Sequence, residues 1–282
     1  MEISEIPNML SIPNIQNLNT VVDNSKKNVD GVILILSCQK HKDTRLKEFS
    51  LSKNSYNNWE VIYVIGDLFL DKNYILDGNF LYIKCEDSYI HLLKKLALAI
   101  KYVNEIFTIK EGILRCGDDL IFNEENLTLF TKAKKYDYYG QSSIRKNYKC
   151  ADKNVLKKLR NDKFMMMYYN KNPEDFLNRQ HGLIGMNITS LSKYTMRPDI
   201  YGAAGVIFYL SNKACNVLIH HMEKINYNIF AYDTYTKSYP YTIEDCGISF
   251  IMYYNNVEFI DGIFFYDTDH PSTIAKHTNK YK

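Results

Sequence analysis

Apolar residues recur along this chain in two rhythms, one fitting strands and the other helices. GVILILSC, from Gly31, is a continuous β-branched run, the pattern of a strand covered on both faces. WEVIYVIGD repeats it and ends at Gly66 and Asp67, and FLYIKCED, Phe80 to Asp87, predicts a third strand. Between the first two, QKHKDTRLKEFSLSKNSY reads as a polar loop leading into a basic helix. From Ser88 to Phe107 the period changes: Leu92, Leu96, Ala99, Ile100 and Val103 share one face of a helix. That helix leads into a strand over Gly112 to Arg115. A helix over Asn126 to Lys135, a strand at YDYYG, a strand-like run from Gly202 to Ser211 and a helix from Asn212 to Lys224 follow. Tyr241 to Tyr254 predicts a helix with Glu244 and Asp245 in its first turn, and Val257 to Phe265 a terminal strand. Strands alternating with helices predict a parallel α/β sheet covered on both faces, with ligands bound beyond the carboxyl ends of the strands.

Composition narrows the class. The 282 residues are 46% hydrophobic and 14% aromatic, enough for a sizeable core. A net charge of +3, without a long basic run, argues against nucleic acid as the main partner. Residues 1–30 carry Pro7, Pro13 and many Asn without periodicity, and read as a surface or partly disordered extension before one domain over 31–282. They lack the pattern of a secretory signal, and Val32 to Leu36, the strongest apolar run, is too short to span a bilayer. Six scattered cysteines form no CxxC pair or zinc spacing and read as reduced thiols, mostly buried. Together these features predict a soluble, cytoplasmic protein. The richness in Asn, Lys, Ile and Tyr points to an AT-rich genome, a viral one included.

Candidate chemistry centres on EGILRCGDDLIFN, Glu111 to Asn123, an apolar run that stops at Asp118 and Asp119 and then resumes. A strand ending in two carboxylates at a sheet edge can offer hard oxygen ligands to a divalent cation, which can hold a diphosphate. Gly-Asp-Asp is also ordinary turn chemistry. Ser37, Arg45 and Asp67, after the first two strands, are candidates for a diphosphate and base. Glu244 and Asp245 suit a helix N-terminus by capping, which explains one carboxylate better than two. Gly202 and Gly205 allow close approach of a ligand or close packing of a helix. Gln141 to Arg197 shows no dominant period, and its MMMYY patch reads as core or lid packing.

Four segments in order resemble the β-1,3-galactosyltransferase-like and Fringe-like glycosyltransferases. DSYIHLLKK matches a Tyr-containing segment with a later Lys, through Asp87, Tyr89 and Lys95. ILRCGDDLIF is similar to the family's strand and aspartate triplet, GAAGVIFYLS to its glycine-rich strand, and IEDCGISF to its late acidic pair. The resemblance spans about Gly31 to His277. It implies a GT-A fold, a single Rossmann-like domain, with a nucleotide-sugar half over about 31–140 and an acceptor and catalytic-base half over 141–282.

The resemblance further implies a UDP-sugar donor, a Mn²⁺ or Mg²⁺ cofactor, a glycan acceptor and inversion to a β-linkage. Asp119 then matches the metal-binding aspartate and Asp118 the middle one, with Gly117 in place of the first. Lys95 and Arg115 fall on the nucleotide-sugar side with Ser37, Arg45, Asp67 and Asp118. Asp245 resembles a general base, with Gly202, Gly205 and Glu244 as sugar or acceptor contacts. A C-terminal histidine joins the metal in the family, His270 by its place after the last strand or His277 as the alternative. Gly117 also leaves open a catalytically inactive carbohydrate-binding module. A sugar nucleotidyltransferase ranks last, because SCQKHKDTR lacks the glycines that would hold a triphosphate.

Overall fold

A computed structural model describes residues 26–49, 51–142, 147–148, 161–176, 195–196, 200–262 and 265–278. The N-terminal extension up to residue 25, Cys150 and most of the segment between Gln141 and Arg197 lie outside the described residues.

The central sheet is built from β1 (Lys27–Leu36), β2 (Ser55–Tyr56), β3 (Trp59–Gly66), β4 (Tyr74–Asp77), β5 (Phe80–Ile83), β6 (Phe107–Gly117), β8 (Tyr138–Ser142), β11 (Ala203–Ser211) and β12 (Phe259–Asp261). Two small antiparallel pairs join β7 (Leu120–Phe122) to β13 (Ala275–His277), and β9 (Asn147–Tyr148) to β10 (Thr195–Met196). The helices are α1 (Gln39–Lys42), α2 (Leu92–Ile106), α3 (Glu124–Lys132), α4 (Lys163–Lys171), α5 (Pro173–Phe176), α6 (Asn212–Lys224) and α7 (Glu244–Tyr254).

Across the sheet the order is β12-β8-β11-β6-β1-β3-β5-β4, with β2 paired beside β3. β1 runs parallel to both β3 and β6, β3 to β5, and β12 to β8. β11 is antiparallel to β6 and β8, and β4 closes one edge antiparallel to β5. The result is a mixed α/β structure with a large, mostly parallel sheet flanked by helices.

Alternation along β1 explains why its sequence is apolar at every position. Val32, Leu34 and Leu36 enter the larger core with residues of α2, α6 and α7. Ile33 and Ile35 point to the opposite face, with Trp59, Phe122 and Phe130. Each such side chain, fully buried, contributes about 1.5–3 kcal/mol. The MMMYY patch packs as expected of a core segment, with Met165, Tyr168 and Tyr169 buried on α4.

Several boundaries differ from the expected ones. β1 begins at Lys27, because Lys27 to Val29 pair with Phe107 to Ile109 at the start of β6. The basic stretch after β1 forms only the four-residue α1 and one 3₁₀ turn over Leu46–Glu48, with no residue of either buried. Without an apolar face, packing gives such a helix little support. α3 and α6 start where Asn123 and Ser211 accept hydrogen bonds from the N–H groups of Asn126 and Ala214. α7 lacks a side-chain cap and carries Glu244 and Asp245 in its first turn, where the helix dipole favours them. Among the described residues no helix is long and apolar enough to cross a membrane.

Candidate functional site

The chain leaves β1 towards β3 and β5 on one side, while α2 carries it back to β6 on the other. The crevice beyond the carboxyl ends of β1 and β6 is therefore a topological switch point, the usual ligand position in such sheets. Ser37 follows β1 and Asp118 follows β6, and Ser37 Oγ donates to Asp118 Oδ2 at 2.7 Å. His41 Nδ1 bonds the same oxygen at 2.8 Å, while Arg45 Nη1 donates to Oδ1 at 2.8 Å.

These bonds set the protonation states. Burial alone would raise Asp118, but the donors His41, Ser37 and Arg45 outweigh it and bring the carboxyl down to about 2. Asp118 in turn, with Cys38, lifts His41 to about 9 against the opposing effect of burial, so its imidazole is cationic at neutral pH. Asp119 is placed differently. Its side chain is 38% exposed against 8% for Asp118, and its Oδ2 lies 3.8 Å from Arg45 Nη1. Its Oδ1 stands 2.9 Å from where a Cβ on Gly117 would be, so the carboxylate folds over the glycine.

Beneath this layer lies a buried cation. Lys95, from the first turn of α2, donates to the Ser37 carbonyl at 2.5 Å and to Asp87 Oδ1 at 2.6 Å. Burial opposes its charge, but Asp87 outweighs that and holds Lys95 above the ordinary lysine range. Asp87 also accepts from Gly66 N and Gln39 N, joining the ends of β1 and β3. Lys95 and Asp87 thus hold the floor of the crevice together. Asp67 lies at the end of β3, where its Oδ1 accepts from Phe69 N in a local turn.

The wall on the other side of β6 is set by Arg115 and Glu244, which bind one another. Nε and Nη2 of Arg115 donate to the two carboxylate oxygens of Glu244 at 2.8 and 2.5 Å, and Nη1 donates to the carbonyls of Gly205 and Val206. Burial pushes Glu244 above the ordinary carboxyl range, and the guanidinium opposes it. Both were expected to touch ligand, but their side chains are 3% and 4% exposed and spent on each other.

Asp245, the next residue, is half-buried. Its oxygens accept from Gly205 N at 3.1 Å and from Cys246 N at 2.9 Å. Gly202, just before β11, and Gly205, within it, serve different purposes. A Cβ on Gly205 would meet Asp245 at an ordinary 3.4 Å. At Gly202 it would lie 1.8 Å from Ser249 Oγ and 2.7 Å from the Tyr138 hydroxyl, so that glycine is required by helix packing.

The two C-terminal histidines line one cavity beside β7 but have different partners. His277 pairs with Leu120 in the β13–β7 ladder, and the next residue, Thr278, donates its N–H to the Asp119 carbonyl. Its Nδ1 lies 2.5 Å from Asp267 Oδ2. His270 precedes β13 on a loop held by Asn126, which donates to the Pro271 and Thr273 carbonyls, towards the far end of β7 from Asp119.

Among the described residues no group of three or more His, Cys, Asp or Glu side chains gathers into a cage for a metal ion. Asp118 is committed to its donors, and Asp119 faces outward. Hard cations such as Mg²⁺ are commonly held by one or two carboxylates plus substrate phosphates and water. The residues present therefore fit a cation that arrives with a diphosphate, and do not form an all-protein cage.

His41 and Gln39 are absent from the motif-based expectation. Their signal in the sequence is weak, since a short polar loop offers no period to read. The fold and site define an α/β protein with a charged crevice at the switch point of a mostly parallel sheet. No protein-family model matches the chain, and a search of curated proteins returned no significant match.

Proposed function

We propose that the chain is a metal-dependent, inverting glycosyltransferase of GT-A fold that moves a sugar from a UDP-sugar to a glycan hydroxyl. The observation that carries this reading is the bidentate Arg115–Glu244 bond. It ties β6, which leads into Asp118 and Asp119, to the first turn of α7, which carries Asp245, so carboxylates from two elements flank one switch-point crevice.

In this reading Asp119 holds the cation, and the neighbouring His277, fixed through Nδ1 by Asp267, fits the second ligand better than His270. Mn²⁺ or Mg²⁺, when bound, supplies positive charge where the departing diphosphate develops negative charge. His41 and Arg45 add fixed cations at the same edge. Asp245 takes the proton of the attacking acceptor hydroxyl, its carboxylate aimed by the N–H groups of Gly205 and Cys246. Attack on the face opposite the diphosphate inverts the anomeric centre.

Calorimetric titration of UDP with and without Mn²⁺, on the parent and on Asp119→Ala, tests the reading. Metal-dependent binding that disappears in the variant is the expected result. Sugar transfer by Asp119→Ala at the parent rate would sink it.

A further inference from the structure

A cavity on the β12 side of the sheet lies outside the crevice just described. It has a volume of about 520 Å³ and is lined by Ser142, Tyr201, Tyr253, Glu258, Phe259 and Asp261, with Val257 behind them. Volumes in this range suit small-molecule ligands. Ser142 and Asp261 stand at the carboxyl ends of β8 and β12, the edge of the sheet on which Asp118 lies.

Two tyrosines give the cavity its character. Tyr201 is 48% exposed and Tyr253 39% exposed, so part of each side chain is accessible from solvent. Tyr201 immediately precedes Gly202, which is locked against Ser249 one turn after Asp245. Tyr253 follows Asp245 by eight positions on α7, about 12 Å along the axis at 1.5 Å per residue. Asp261 accepts from the N–H and hydroxyl of Ser142, so its carboxylate has a fixed direction. Glu258 is exposed beside it.

We propose that this cavity is a saccharide subsite that holds the part of the acceptor glycan beyond the sugar that is attacked. The inference rests on the glycosyltransferase reading for the word acceptor, but sugar binding here can be measured without it. A pyranose ring presents an apolar C–H face and a rim of hydroxyls. A tyrosine ring covers the first, while oriented carboxylates accept hydrogen bonds from the second. An organic cation is the competing chemistry for tyrosines beside carboxylates. Glu258 immediately precedes β12 and Asp261 ends it, at an open pocket, and Asp261 already takes two donors, which favours a neutral hydroxylated ligand.

The test is saturation-transfer NMR on the full chain with lacto-N-tetraose, cellotetraose and maltotetraose, and with choline as the cation probe. Tyr201→Ala, Tyr253→Ala and Tyr253→Phe are compared with the parent, and the melting curve of each variant verifies folding. Binding of at least one saccharide, weakened roughly tenfold by either Ala change as for a lost aromatic contact and retained in Tyr253→Phe, is expected. UDP binding by the same variants should match the parent, which separates failure of the subsite from failure of the donor reading. Absence of any saccharide signal that depends on Tyr201 or Tyr253, or binding of choline in place of the sugars, overturns the proposal.

Discussion

Arg115 and Glu244, 129 positions apart in sequence, meet through two hydrogen bonds with almost no exposed surface on either side chain. Removing one member of such a pair leaves a buried charge without its partner, at a cost of about 3–5 kcal/mol. Arg115→Met or Glu244→Gln should each lower the denaturation midpoint strongly. Arg115→Met with Glu244→Met should lose much less than the sum, because no charge is stranded. Chemical denaturation of the three variants checks this, and additive losses would contradict the coupling.

The link between His41 and Asp118 predicts a pH dependence at the alkaline side. His41 is raised from 6.5 to about 9 by the Asp118 carboxylate, so the folded state favours the imidazolium. Its stabilisation is then complete below pH 6.5 and is lost as pH rises through about 9. Denaturation midpoints measured with chelator from pH 6 to 10 should fall over that window in the parent. The fall should be flatter in His41→Gln. An NMR titration placing His41 near 6.5 would count against the bond.

Glycines 202 and 205 should respond differently to alanine. At Gly202 the new methyl overlaps Ser249 and Tyr138, an overpacking cost of about 1–3 kcal/mol. Gly205→Ala meets Asp245 at contact distance, so stability should change little. Thermal melts distinguish the two, and equal losses would show that β11 does not pack on α7 as described.

Cation binding should depend on nucleotide. With Asp119 partly exposed and Asp118 committed, Mn²⁺ alone is expected to bind weakly, and UDP should strengthen it at least tenfold. Mn²⁺ electron paramagnetic resonance with and without UDP measures this directly. Tight stoichiometric Mn²⁺ binding in the absence of UDP would point to an all-protein site elsewhere.

Lys95 should be intolerant of removal. Lys95→Met strands the Asp87 carboxylate and the Ser37 carbonyl beneath the crevice, at about 3–5 kcal/mol. Lys95→Met with Asp87→Asn should recover part of that loss in the same denaturation assay.

Much of the architecture was legible because it follows from local periodicity. The runs at Val32, Val61 and Leu81 are strands, the helix expected over Asn212 to Lys224 has those bounds, and Glu244 and Asp245 open a helix. Less legible were β4 and β13, short strands that exist through their neighbours. β4 turns three of its four residues to solvent and is held by its pairing with β5. The basic stretch after β1 has many helix-forming residues, but no apolar face to dock one.

Sequence alone determined the mixed α/β class, the order of the longer elements and the acidic residues just after β6 and at the start of α7. These depend on the alternation of side chains along a strand, the 3.6-residue turn of a helix and the electrostatics of its first turn. Only tertiary structure decided what each charge does. Asp118 and Asp119 are adjacent and chemically identical, yet one is buried among Ser37, His41 and Arg45 while the other faces outward. Arg115 reads as a ligand contact in one dimension and binds Glu244 in three. A side chain's partner is set by which distant elements the sheet order brings beside it, and local pattern holds no record of that order.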